Sequence, residues 1–230
     1  MSQMSAALAE YLGTFFLCFA GIAAILGGTA AVGSDIGLVG IALAHGLALS
    51  VGVATFGGVS GAHFNPAGTV AMLATGRIAA PNAGLYVLAQ LAGATTAALI
   101  CQGVFPAAAV VQANLGIPLP ASWATTGTVL IVEFVLTFLL VIAIFGAAVD
   151  TRGQAVKIGG FAIGLTVTFD ILAGGPVTGA SMNPARSFGP ALVQGFWQWH
   201  WAYWVAPIAG GVVGALVYDR AILQRGAKSI

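Results

Sequence analysis

The tripeptide Asn-Pro-Ala occurs twice, at Asn65-Pro66-Ala67 and Asn183-Pro184-Ala185, 118 residues apart. Each copy is entered the same way, by Gly61-Ala62 and two further residues in one half and by Gly179-Ala180 and two further residues in the other. The flanks align as well. Glu10 with Thr14-Phe15 answers Glu133 with Thr137-Phe138, and Leu88-Ala89-Gln90-Leu91-Ala92-Gly93 answers Val205-Ala206-Pro207-Ile208-Ala209-Gly210. The chain is therefore an internal duplication, with repeats at about 1–105 and 124–223 inside one domain of 1–230.

The repeats have too little polar surface to sit in water. Hydrophobic residues make up 59% of the chain and charged residues 6%, and the mean hydropathy is +1.01. A bilayer is the solvent that suits such a composition. A net charge of +1 without any basic run gives no reason to expect nucleic acid as a partner. Met1-Ser2-Gln3-Met4-Ser5 has no basic stretch ahead of the first apolar run and reads as a short tail, not a cleaved signal. Cys18 and Cys101 lie in apolar segments without metal-ligand spacing. They read as small packing residues, and neither metal nor cofactor is expected.

Six long apolar segments run at roughly 5–28, 36–57, 81–105, 124–148, 157–174 and 199–219. Each is near the ~20 residues needed to cross ~30 Å of hydrocarbon. The stretches after each tripeptide, about 66–76 and 184–194, would reach only ~16 Å as helices, half a bilayer. The fold class that follows is an all-α membrane protein of six transmembrane helices plus two re-entrant half-helices. Three spans per repeat is an odd number, so the second repeat enters from the opposite side and the repeats are inverted. Arg77, Arg152, Lys157, Arg220, Arg225 and Lys228 gather on the side of the termini, which is accordingly expected to be cytoplasmic. Trp123, Trp197, Trp199, Trp201 and Trp204 fall at the other face, where amphipathic rings rest among headgroups. Gly160-x-x-x-Gly164 and Gly210-x-x-x-Gly214 offer close helix approaches.

Asparagine at a helix N-cap followed by proline at the first helical position is a favoured start, because proline lacks the N–H that would be orphaned there. Irregular backbone at membrane depth is tolerated where it lines a watery cavity, so loops 58–65 and 175–183 are expected to line one. Inversion brings the two half-helix N-termini together near the midplane, where their partial positive charges repel cations. Glu10 and Glu133, acids within spans, need a reason to be there. Their matched positions suit carboxylates that accept hydrogen bonds from loop N–H groups. Proton coupling is the competing role.

The two Asn-Pro-Ala boxes, the paired Glu segments and Ser181-Met182-Asn183-Pro184-Ala185-Arg186-Ser187-Phe188-Gly189-Pro190 together resemble the aquaporin (major intrinsic protein) family over essentially the whole chain. That resemblance implies the aquaporin fold, a homotetramer with a pore in every subunit, and water and small neutral solutes as the molecules carried. It also implies a ladder of backbone carbonyls from Gly61, Ala62, His63 and Phe64 and from Gly179, Ala180, Ser181 and Met182. The family's aromatic/arginine constriction maps onto His45, Ile171, Ala180 and Arg186.

This set departs from the water-specific pattern of an aromatic at the second-span corner and His at the fifth. It departs too from glycerol facilitators, and is similar to plant tonoplast intrinsic proteins and animal ammonia-permeable aquaporins. Ile171 in place of an imidazole removes a donor and Ala180 leaves space. Ammonia, hydrogen peroxide and urea become candidate solutes, with ions excluded. A further histidine that some ammonia-conducting plant members use is missing from residues 106–123. His63 reads as anchoring loop backbone and His200 as interfacial, while Asp170 either braces external loop backbone, the preferred reading, or tunes His45 and Arg186. The alternatives are a strictly water-selective pore, a proton-coupled transporter and a junction-forming protein. No nucleophile–base pair suggests an enzyme. Short termini suggest a bacterial inner (plasma) membrane.

Overall fold

The computed structural model describes residues 2–152 and 158–224. Ser2 caps α1 (Gln3–Gly27), its hydroxyl accepting the Ser5 N–H. Next come α2 (Gly37–Ser60), the half-helix α3 (Pro66–Ala74) and α4 (Ala80–Val104). A connection holding the short α5 (Ala107–Gln112) and a 3-10 turn (Asn114–Gly116) leads into the second half. There α6 (Thr126–Ile144) starts at a reciprocal Thr125–Thr128 cap and runs on through a π turn, Phe145–Val149. It is followed by α7 (Gly160–Thr178), the half-helix α8 (Pro184–Gln194) and α9 (Ala202–Val217), which ends in another π turn, Tyr218–Ile222. Among the described residues, six helices are long and apolar enough to cross a membrane: α1, α2, α4, α6, α7 and α9. Among the described residues there is no strand.

The packing repeats with the sequence. α1 lies against α2 and α4 as α6 lies against α7 and α9. Each half-helix crosses into the other repeat, α3 packing on α9 and α8 on α4, while α2 meets α7 across the divide. Glycines set these crossings. A β carbon on Gly93 would come 2.2 Å from the Tyr11 carbonyl oxygen, and one on its mate Gly210 would come 2.2 Å from that of Phe134. On Gly164 it would stand 2.1 Å from the Gly46 oxygen, and on Gly214 2.9 Å from the Phe138 oxygen. Both small-residue pairs seen in the sequence therefore lie at helix crossings. Cys18 and Cys101 are free thiols buried in one cluster between α1 and α4.

The end of the molecule where α1 starts is tied by charge. Arg77, after α3, pairs with Asp219 at 2.6 Å and stacks 4.8 Å over the Phe145 ring. Arg152 binds Asp150 through Nε and Nη2, and Tyr218 donates to the same carboxylate. Lys157, Arg225 and Lys228, counted with this basic face, lie outside the described residues.

Two expectations need correction. α2 and α7 stay helical to Ser60 and Thr178, so the irregular loops are 61–65 and 179–183, shorter than 58–65 and 175–183. The helices persist because their last carbonyls are satisfied by left-handed glycine caps, Gly61 N–H to Gly57 and Gly179 N–H to Gly175. Asp170 does not brace loop backbone. It is fully buried, with neither carboxylate oxygen hydrogen-bonded among the described residues, and the backbone beyond it is helix for another eight residues.

Candidate functional site

Each asparagine holds its own half-helix and the opposite loop together. The Asn65 Oδ1 accepts the Ala67 N–H at 2.8 Å, while its Nδ2 donates to the Met182 carbonyl at 2.9 Å. The Asn183 Oδ1 accepts from Ala185 and Arg186, and its Nδ2 donates to the Phe64 carbonyl at 2.8 Å. Pro66 and Pro184 occupy the first turn of α3 and α8, where a missing N–H is harmless. The two helix N-termini are thus clamped tip to tip. One N–H of each amide remains after the cross-link.

The loops that reach these tips are strained alike. Ala62 and Phe64 have φ of 52° and 50°, and Ala180 and Met182 have 44° and 54°. Side chains other than glycine adopt such backbone only when the surroundings dictate it. The surroundings here are the buried acids. Glu10 accepts the His63 N–H at 2.9 Å, the Phe64 N–H at 2.7 Å, and further bonds from Ser60 and Gln90. Glu133 accepts the Ser181 N–H at 2.9 Å, the Met182 N–H at 2.8 Å and the Thr178 hydroxyl. Tyr86 and Tyr203 complete the pattern by donating to the carbonyls of Ser60 and Thr178. Gln90 breaks it, because Pro207 stands at its place in the second repeat.

One cavity takes in both asparagines together with His45, Ile171, Ala180 and Arg186. Leu17, Leu49, Leu140, Ile163 and Val167 give it an apolar wall. Ala62, His63, Phe64, Ser181 and Met182 also border it, whereas Gly61 and Gly179 do not. These two glycines are helix caps, and Gly179 is pressed against Pro118 of the long connection. The Phe64 and Met182 carbonyls are engaged by the asparagines, each keeping a second lone pair. Pro66, Ala67, Pro184 and Ala185 lie behind the tips as buried first-turn residues.

Arg186 is 4% exposed and donates through Nη1 to the Gly116 carbonyl at 2.6 Å, leaving Nε without a partner among the described residues. His45 donates through Nδ1 to the Ile41 carbonyl one turn back, at 2.9 Å. The His63 ring does not anchor backbone: it bonds the Thr69 hydroxyl at 3.1 Å and meets Tyr86 edge-on. His200 sits among Phe188, Trp197 and Trp204, accepts the Trp204 indole N–H, and is held below the usual histidine range by burial.

Residues 1–218 match the family model described as major intrinsic protein. The chain belongs to that family. Aquaporin TIP4-4 of Zea mays is 44% identical over 227 residues, covering 96% of this chain and 88% of that protein. A probable aquaporin of Arabidopsis thaliana, TIP3-2, is 44% identical over 231 residues, covering 96% and 85%. A crystal structure of the aquaglyceroporin from Plasmodium falciparum superposes with a TM-score of 0.83 at 23% identity, covering 97% of this chain and 98% of that one. The aquaporin fold read from the repeats is therefore that of the protein, and relatives named TIP agree with the tonoplast-intrinsic resemblance of its residues. A family member of this kind is an integral membrane channel for water and small solutes, and not an enzyme.

Several residues of this aquaporin escaped the sequence. Ser60 and Thr178 recur at a spacing of 118, and Tyr86 and Tyr203 at 117, so polar residues repeating in register were the available signal. Gly116 had none. It belongs to the connection between the repeats, which has no second copy.

Proposed function

We propose that the chain forms a passive channel for water and small neutral solutes, with His45, Ile171, Ala180 and Arg186 as its selectivity filter. The carrying observation is that four separate elements contribute these residues to the same cavity that Asn65 and Asn183 enter. Arg186 and the two half-helix dipoles disfavour cations along the path. Ile171 and Ala180 leave one side apolar and open, which suits ammonia, hydrogen peroxide and urea better than a water-only pore would. Glu10 and Glu133 serve to hold the loops, since every bond they make within the described residues is to a loop, cap or helix donor.

The working form is a homotetramer in the bilayer with both termini cytoplasmic, in keeping with Arg77 and Arg152 beyond the ends of the spans and Arg220 in the last turn of the sixth. The relatives named above are plant proteins, so a bacterial inner membrane gains no support from them. Stopped-flow measurements on proteoliposomes comparing water, ammonia, urea and glycerol test the reading. Water and ammonia should pass well above empty liposomes and glycerol least. Water alone would make the channel strictly water-selective.

A further inference from the structure

Several glycines of this channel face a side chain, as Gly13 faces the Phe64 ring and Gly174 faces Leu136, but Gly21 of α1 faces the imidazole of His45. A β carbon built on it would fall 2.1 Å from His45 Nε2 and 2.5 Å from both Cδ2 and Cε1. All three nearest atoms belong to the imidazole, so the ring tip occupies the space that the missing methyl leaves. Gly21 is buried in the interior of α1. Glycine there weakens a helix by roughly 0.5–1 kcal/mol relative to alanine. Its backbone is not in the left-handed region, so conformation does not call for glycine. The ring is fixed from its other side by Nδ1–H donating to Ile41, which leaves the lone pair of the neutral ring on Nε2.

We infer that Gly21 is a specificity-determining residue, the seat that holds the His45 imidazole back against α1 and so sets the aperture shared with Ile171, Ala180 and Arg186. This rests on the reading of His45 as a filter residue. The direction of the effect follows from what surrounds the ring. With a β carbon on Gly21, the imidazole must retreat from 2.1 Å to ordinary contact at 3.4 Å or more. The α1 backbone blocks one side, and the other side is the cavity. A shift of about 1 Å is large against a permeant about 2.8 Å across. The seat therefore governs solutes wider than water before it governs water.

The test is Gly21→Ala in full-length protein, reconstituted at matched content and read as water and ammonia permeability. The ammonia-to-water ratio should fall at least about threefold, and the same change made in a His45→Ala background should leave the ratio alone, since the two residues act as one unit. An equal fall in both backgrounds, or no fall in the first, overturns the assignment. If Gly21→Ala fails to assemble, the double variant decides. Assembly regained with His45→Ala identifies the imidazole as what the methyl strikes, and continued failure contradicts it. If wild type carries water alone, the solute reading of the filter fails separately. The seat is then read in water flux, which Gly21→Ala must lower and His45→Ala must make indifferent to residue 21.

Discussion

The side-chain amide of Asn65 donates a 2.9 Å hydrogen bond to the main-chain carbonyl of Met182, 117 residues further on. Asn183 returns the bond to Phe64. Each asparagine thereby caps its own half-helix and fixes the loop that feeds the other one, so the midplane of the channel is a single linked unit built from both repeats.

Linked residues do not act additively. Asn65→Ala and Asn183→Ala should each lower thermal stability, and a double-mutant cycle should give a coupling of roughly 0.5–3 kcal/mol. Thermal unfolding of detergent-solubilised protein measures it. Additive losses would mean the two tips are independent.

Glu10→Gln and Glu133→Gln should impair folding more than selectivity. Each replaces one acceptor oxygen of a buried carboxyl that holds at least two loop N–H bonds by an amide NH₂, and a buried polar group left without its partner costs roughly 1–3 kcal/mol. A loss of about 3 kcal/mol is expected for either. A well-folded variant with normal water flux and a loss confined to proton-gradient dependence would instead mark a coupling site. Gln90→Leu removes a donor to Glu10 and to the Thr69 hydroxyl, both in the first repeat, and should weaken the first loop while leaving the second as it was.

The paired acids, the half-helices and the inversion were legible because duplication writes them twice at one spacing. The limits of the loops were not. Ser60 and Thr178 look like loop residues in the sequence, yet they end helices, since glycine caps and tyrosine hydroxyls satisfy backbone that composition cannot assign. The candidate filter residues Ile171 and Arg186 stand at fixed offsets from Asn183 and His45 lies within its own helical segment, whereas Gly116, which holds Arg186, sits in the connection that occurs once. Asp170 was misread for a related reason: a span drawn to stop at 174 left a loop nearby to brace, and the helix continues past it.

Asp150 supplies a prediction in pH. Its hydrogen bonds from Arg152 hold the carboxyl well below its ordinary 3.8, and the same pair raises Arg152. For an acid with a depressed folded value, the stabilisation is present above 3.8 and is lost as pH falls through the lower folded value. Asp150→Asn should therefore lower the melting temperature at pH 7, the gap closing only in strong acid. A gap that closed between pH 5 and 7 would assign the titration to another group.

His45 and Ile171 border one opening, so they should set solute choice jointly. His45→Phe with Ile171→His narrows the aperture and returns a donor to the α7 wall. Water flux should survive, ammonia flux should fall, and the single changes should not sum to the double. An unchanged ammonia-to-water ratio in matched liposomes would move selectivity elsewhere.

Passive, non-ionic conduction is the claim on which the rest depends. It is tested most directly by water and ammonia flux in proteoliposomes held at zero and at about −100 mV, where each charge moved would carry ~2.3 kcal/mol. Flux linear in the gradient and the same at both potentials is predicted. A current that scales with channel content, or a flux that follows the proton gradient, would contradict it.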